Sequence, residues 1–238
     1  MEPKNTAVVC KGIKKTYGEK ATAVQALKGI DLEVNVGEML MIVGPSGSGK
    51  TTLISIMAGI LHQDEGSCLV FGSDLKQMTD KDRTIFRGRH IGFIFQQFHL
   101  IPMLNAEENV SVPLLFNGEE RNNALSKARD ILIHLGLKSK LKSFPPNLSG
   151  GEQQRLAIAR SYIHSPELIV CDEPTSYLDI ESGKRVLSIL RALVQRENRS
   201  IVVVTHDARI FPFADRIIHL EDGKIVSEQR NHQEGGIH

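Results

Sequence analysis

Short apolar segments at residues 7–10, 24–28 and 32–34 open the chain, interrupted by Gly12, Gly18, Gly29 and Gly37. Segments of this length between glycines predict strands, and their closeness along the chain predicts a small antiparallel sheet. Residues 39–43 differ, being a continuous apolar run without polar alternation, the pattern of a strand buried on both faces. A Gly- and Ser-rich turn follows, then a helical stretch from Lys50 to about Leu61. Strand, loop and helix in that order form one unit of an α/β fold.

The period changes between residues 97 and 165. Leu125, Ala128, Leu132 and Leu135 recur at helical spacing with Gly136 as the stop, so this stretch reads as a helical insertion. Parallel-strand signals resume at residues 168–171 and 201–205, with a helix over residues 180–195 between them. Residues 216–220, a turn at Asp222-Gly223 and residues 224–226 predict a closing hairpin. The polar tail after Glu228 reads as frayed.

Charge narrows the partners. Lys plus Arg number 29 against 28 Asp plus Glu, so no charge field points to nucleic acid or to an anionic membrane surface. Three cysteines, Cys10, Cys68 and Cys171, are an odd number in a long chain; Cys171 ends an apolar run as a buried thiol would, and a reducing cytoplasm fits. No apolar run approaches the roughly 18 residues of a spanning helix. The expectation is a chain soluble by itself, with any pore in other polypeptides.

Gly44-Pro45-Ser46-Gly47-Ser48-Gly49-Lys50-Thr51 matches G-x-x-x-x-G-K-[ST], after a buried strand and before a helix. Glycines let backbone N–H groups converge on phosphate oxygens, and the helix N-terminus adds positive potential. Lys50 supplies a point charge, Thr51 offers a hydroxyl to Mg²⁺, and Thr52 stands beside it. The loop predicts a nucleotide phosphate. Kinases, GTPases and motor ATPases all remain possible.

Residues 168–173 form an apolar strand ending in two carboxylates, Asp172 and Glu173. Successive strand side chains point to opposite sides, so the two are expected to have different tasks. Asp172 is the candidate Mg²⁺ partner, and Glu173 the candidate base for the water that attacks the γ-phosphate.

Leu148-Ser149-Gly150-Gly151-Glu152-Gln153 decides among the phosphate-loop classes. Ser149 and Glu152 have the spacing of a capping box, which predicts a helix running through Leu156, Ala159 and Ile163, and such a helix start is also an anion site. A cap alone leaves two successive glycines, costly in a helix, without a reason. The segment resembles the LSGGQ signature of ABC (ATP-binding cassette) proteins in its EQ form, with Gln154-Arg155 following.

The resemblance extends over nearly the whole chain, and it implies further roles. Tyr17 matches the aromatic residue that stacks on adenine. Gln96 matches the glutamine that contacts Mg²⁺ and the attacking water and links to the membrane subunit. Residues 176–179 match the D-loop, with Asp179 at its end and Tyr177 where the family commonly has a small residue; His206 matches the switch histidine that senses the γ-phosphate. In that family ATP lies between two subunits, the phosphate loop of one facing the signature helix of the other.

The implied protein is an ATPase subunit working with ATP and Mg²⁺ as a homodimer. It would drive separate transmembrane permease subunits through their coupling helices, from the cytoplasmic face of the membrane. The implied fold is α/β: a P-loop NTPase core with a mainly parallel sheet, an N-terminal antiparallel β subdomain and an inserted α-helical signature subdomain. The expected division is a RecA-like core with the β subdomain over residues 1–96 and 166–228, a helical subdomain over 97–165 and a flexible tail over 229–238.

Residues 92–96, 100–102 and 106–113 are similar to the branch of macrolide exporters, lipoprotein-release ATPases and the cell-division ATPase. Export and membrane signalling without translocation both stay open, and a soluble ABC ATPase is a third class. Phe98, Leu100, Ile101, Met103 and Leu104 have two candidate destinations, a groove for a coupling helix or the helical subdomain's own core.

Overall fold

The computed structural model describes residues 6–19 and 22–231. The first half of the chain forms β1 (Thr6–Tyr17), β2 (Val24–Asn35), β3 (Met39–Val43), α1 (Lys50–Met57), β4 (Glu65–Val70), β5 (Ser73–Asp74), α2 (Asp80–His90) and β6 (Ile91–Ile94). Then come α3 (Ala106–Phe116), α4 (Arg121–His134), α5 (Gly150–Tyr162), β7 (Leu168–Asp172), α6 (Ile180–Glu197), β8 (Ser200–Thr205), β9 (Arg216–Glu221) and β10 (Lys224–Arg230).

Two sheets result. The first is antiparallel with order β2-β1-β4-β5, and the second has order β10-β9-β3-β8-β7-β6. Neighbours in the second sheet are parallel except at the β9–β10 hairpin. All five residues of β3 are buried, as the uninterrupted apolar run requires of a central strand. One core cluster joins α1 to both sheets, a second packs α6 on the parallel sheet, and a third fills the α3–α4–α5 unit.

Several elements differ from expectation for identifiable reasons. The glycines at positions 12 and 29 do not end strands: their φ values are 59° and 90°, and the β1–β2 register shifts at both places. Each sits in a bulge that lets its strand continue. α1 stops at Met57, short of Leu61, because the chain turns at Gly59 (φ 63°). α2 was not foreseen, since none of its residues is buried and no apolar stripe marks it. In α4 the buried stripe is Ala124, Ala128 and Leu132, with Leu125 only half-buried.

The tail needs a correction. Gln229 and Arg230 belong to β10, paired with Ile217 and Arg216, so the hairpin outlasts the polar boundary at Glu228. Residues 232–238 lie outside the described residues. Among the described residues no helix is long and apolar enough to cross a membrane.

Candidate functional site

The phosphate loop spans the gap between β3 and α1, and its glycines are required by contact. A Cβ on Gly44 (φ 152°) would lie 2.0 Å from the Leu220 carbonyl oxygen, and one on Gly49 (φ 101°) 2.4 Å from that of Ala26. Gly49 is also the N-cap of α1 and offers no side-chain cap, so the first N–H groups of the helix keep their capacity to bind an anion. The Lys50 ammonium donates to the carbonyls of Gly44 (2.8 Å) and Pro45 (2.7 Å). Burial pulls the Lys50 pKa down, while Glu173 and Asp172 push it back.

β7 delivers the carboxylates. Thr51 Oγ1 donates to Asp172 Oδ1 at 3.3 Å, and burial pushes the Asp172 carboxyl above its ordinary value. Glu173 lies past the end of the strand and has φ 48°. A left-handed backbone at a non-glycine residue is costly and must be held by its surroundings; here the Glu173 N–H donates to the Val204 carbonyl of β8 at 2.9 Å. Strand alternation therefore does not separate the two acids, as had been expected. The chain leaves the strand at Glu173, and that departure aims its side chain.

Both Glu173 oxygens have partners. Oε1 is 2.7 Å from His206 Nδ1, and Oε2 accepts from Ser176 Oγ at 3.0 Å. Ser176 opens the segment that matches the D-loop, and the resemblance alone implies no task for it. Its spacing of three from Glu173 was the available signal. A cleft of about 570 Å³ is lined by the loop from Gly44 through Pro45, Ser46, Gly47, Ser48, Gly49, Lys50 and Thr51 to Thr52, and by Gln96, Asp172, Glu173 and His206. Ala26 and Val204 complete the lining.

Thr51, Asp172 and Gln96 offer a hydroxyl, a carboxylate and an amide oxygen. These are hard donors of the kind that suit Mg²⁺ rather than a softer metal.

Other candidates lie apart from this cleft. Tyr17 is beside it: its hydroxyl is 3.4 Å from Thr52 Oγ1, and Lys15 Nζ stands 5.9 Å from its ring centre. Ser149, Gly150, Gly151 and Glu152 start α5, with both halves of the capping box formed. Asp179 caps α6, accepting from the Ser182 N–H at 3.0 Å. None of these six lines the cleft.

Of the two signature glycines Gly151 is the crowded one, whereas a Cβ on Gly150 would make an ordinary contact. A Cβ on Gly151 would lie 3.1 Å from Ser182 Oγ, and one on Gly150 3.4 Å from the Tyr177 carbonyl oxygen. Tyr177 itself is exposed, its ring edge-on to Phe98 with centres 6.3 Å apart.

The apolar residues after Gln96 do not share one destination. Leu100 packs on the helical core. Ile101 lines a groove of about 830 Å³ beside α2 and α3, with Ile85, Phe93, Phe95 and Phe116. Met103 is 88% exposed, so neither destination claims it.

Comparison with known proteins places this geometry. The chain is 43% identical over 216 residues to the lipoprotein-releasing system ATP-binding protein LolD of Hyphomonas neptunium, covering 90% of this chain and 94% of that protein. It is 40% identical over 218 residues to the macrolide export ATP-binding/permease protein MacB of Pasteurella multocida, covering 92% of this chain. The chain spans only 33% of the length of that MacB protein. Among solved structures, a dimeric post-hydrolysis state of the ATP-binding cassette MJ0796 bound to ADP and Pi superposes with a TM-score of 0.88 at 36% identity, over 94% of this chain and 98% of that one. The ABC transporter family model matches residues 27–176, and the chain belongs to that family as an ATP-binding cassette.

Proposed function

We propose that the chain binds ATP with Mg²⁺ in the cleft between the phosphate loop and the β7 and β8 ends, and hydrolyses its γ-phosphate. The convergence of Lys50, Thr51, Gln96, Asp172, Glu173 and His206 on one cleft is the observation that carries this reading. Backbone N–H groups of the loop and the start of α1 bind the phosphates, with Lys50 turning from its two carbonyl partners toward them. Thr51, Asp172 and Gln96 would hold Mg²⁺, which neutralises charge on the phosphate oxygens when bound. Glu173 takes the proton of the attacking water, and His206 and Ser176 fix its carboxylate until then.

Two copies enclose the nucleotide, the phosphate loop of one facing the Ser149–Glu152 helix start of the other. The solved cassette MJ0796, described as a dimer, supports this. So does the absence of the α5 start from the lining of the chain's own cleft. In that arrangement the Tyr17 ring stacks on the base and Asp179 faces the dimer junction. The division into a core over residues 1–96 and 166–228 and a helical subdomain over 97–165 supplies two bodies that close on the nucleotide.

The groove beside α2 and α3 receives a coupling helix of a transmembrane permease subunit, which sets the chain on the cytoplasmic face of the membrane. Relatives named for macrolide export and lipoprotein release support an export or extrusion role over a purely signalling one.

Glu173→Gln tests the reading. The substitution keeps size and hydrogen-bonding reach, so ATP binding should persist while phosphate release slows by roughly 10²- to 10⁴-fold. An ATP-bound dimer should then accumulate on size-exclusion chromatography. Normal turnover would move the base elsewhere; a variant that fails to bind ATP would assign Glu173 to binding.

A further inference from the structure

The loop after Gln96 is gripped from the signature helix. Phe98 and His99 both have left-handed backbones, with φ 58° and 45°, a conformation that persists only where neighbours impose it. The neighbour is Arg160, in the last turn of α5. Its guanidinium donates from Nη2 to the Phe98 carbonyl at 2.9 Å and from Nη1 to the His99 carbonyl at 2.7 Å.

Arg160 is an unusual choice for a merely structural contact. Burial pulls its pKa below the ordinary arginine value, and among the described residues no carboxylate lies within ion-pair distance of it. A half-buried cation compensated by two neutral carbonyls is a costlier way to hold a loop than an apolar side chain. What the planar fork supplies is geometry, because its two parallel donors fix two successive carbonyls at once. From the other side, the Tyr177 ring meets Phe98 edge-on, so the loop is held between α5 and the segment that leads into α6.

We propose that Arg160 is a positioning residue for Gln96: by clamping Phe98 and His99 it sets where the Gln96 amide stands in the cleft, and it ties that amide to α5. The inference rests on the reading that Gln96 serves hydrolysis. α5 is one uninterrupted helix from Gly150 to Tyr162, so its Ser149 end and its Arg160 end move together. A shift of the signature helix therefore pulls the Gln96 loop, and the reverse holds. Arg160 and His99 also line the groove beside α2 and α3, so whatever fills that groove touches the clamp directly.

A double-mutant cycle with Arg160→Lys and Gln96→Ala decides the matter. Lysine keeps the charge, but its donors radiate from a single nitrogen on a flexible stem, so it lacks the rigid planar fork that sets the directions and spacing of the two carbonyls together. Arg160→Lys should lower kcat for ATP hydrolysis roughly tenfold through misplacement of a group near the chemistry, with KM for ATP changed less than about twofold. In the Gln96→Ala background it should cost nothing further, since the residue it positions is gone. Should Arg160→Lys reduce the yield of folded protein, Arg160→Gln enters the same cycle with the same expected non-additivity.

Multiplying losses in the double variant, or wild-type kcat in the Arg160 variant while Gln96→Ala is impaired, overturns this inference alone. Wild-type turnover in Gln96→Ala removes the reading of Gln96 and this inference with it.

Discussion

Lys50 and Glu173 line the same cleft, and their environments set different consequences for losing them. Lys50 is only 8% exposed, and its ammonium is held by two loop carbonyls. Lys50→Ala removes a compact charge that no neighbour replaces. Turnover should fall by roughly 10²-fold or more, and nucleotide binding, measured by equilibrium titration with ATP and Mg²⁺, should weaken as well. Persistence of tight binding would show that the loop's N–H groups hold the phosphates without it. Lys50 was legible from the glycine spacing around it, whereas the posture of Glu173 was not. That posture depends on the Val204 carbonyl of β8 and on the His206 side chain, both about thirty positions further along the chain.

At the scale of elements, one buried carboxylate joins α3 to α4 and to the segment before α5, beside the unit's apolar core. Glu107, in the first turn of α3, is 1% exposed. It accepts from Arg129 Nε of α4 at 2.8 Å and is also bonded by Lys142 from the segment leading to α5. Burial would raise its pKa, but these two cations hold it below the ordinary glutamate value. A carboxyl whose pKa is lower in the folded chain binds protons more weakly there than in the unfolded chain. Its contribution to stability is therefore complete above the unfolded value of about 4.3 and is lost as pH falls through the folded value.

Glu107→Gln should cost about 1–3 kcal/mol near neutral pH, and the gap from the wild type should close in acid, as read by urea unfolding at a series of pH values. A gap independent of pH would mean that shape, not charge, is what Glu107 contributes. The 3.6-residue period marked α4 and the capping box marked α5, whereas α3 was covered only by the reading of residues 97–165 as a helical insertion. Which helix packs on which was not legible, because the ties join residues 22 and 35 positions apart.

The whole molecule carries two helix starts that follow glycine-containing motifs, at α1 and α5, and they do not share a cleft within one chain. The α1 start opens into the cleft; the α5 start does not. If a second copy brings them together, Ser149→Arg should leave ATP binding to the monomer intact and block ATP-driven dimerisation, since bulk and charge would fill the facing site. Light scattering in a Glu173→Gln background is the measurement. Loss of the Ser149 cap should itself cost about 1 kcal/mol, so thermal unfolding of the variant separates a weakened helix from a blocked interface. Unchanged dimerisation would mean that the signature helix does not meet nucleotide across a subunit boundary.

The features the sequence determined by itself are those carried by contiguous residues. The phosphate loop, the capping box at Ser149 and Glu152, the buried run of β3 and the Asp222-Gly223 hairpin are each a local pattern whose physics acts within a few residues. Tertiary structure alone decided the rest. Gly12 and Gly29 could end strands or sit in bulges, and only the register of β1 against β2 chose bulges. Asp172 and Glu173 could alternate on a strand or diverge at its end, and β8 chose divergence. Arg160 and the Phe98–His99 backbone, more than sixty residues apart, meet only because α5 packs beside β6. Local propensity is summed along the chain, whereas these choices depend on hydrogen bonds between segments that approach each other only after the core has closed.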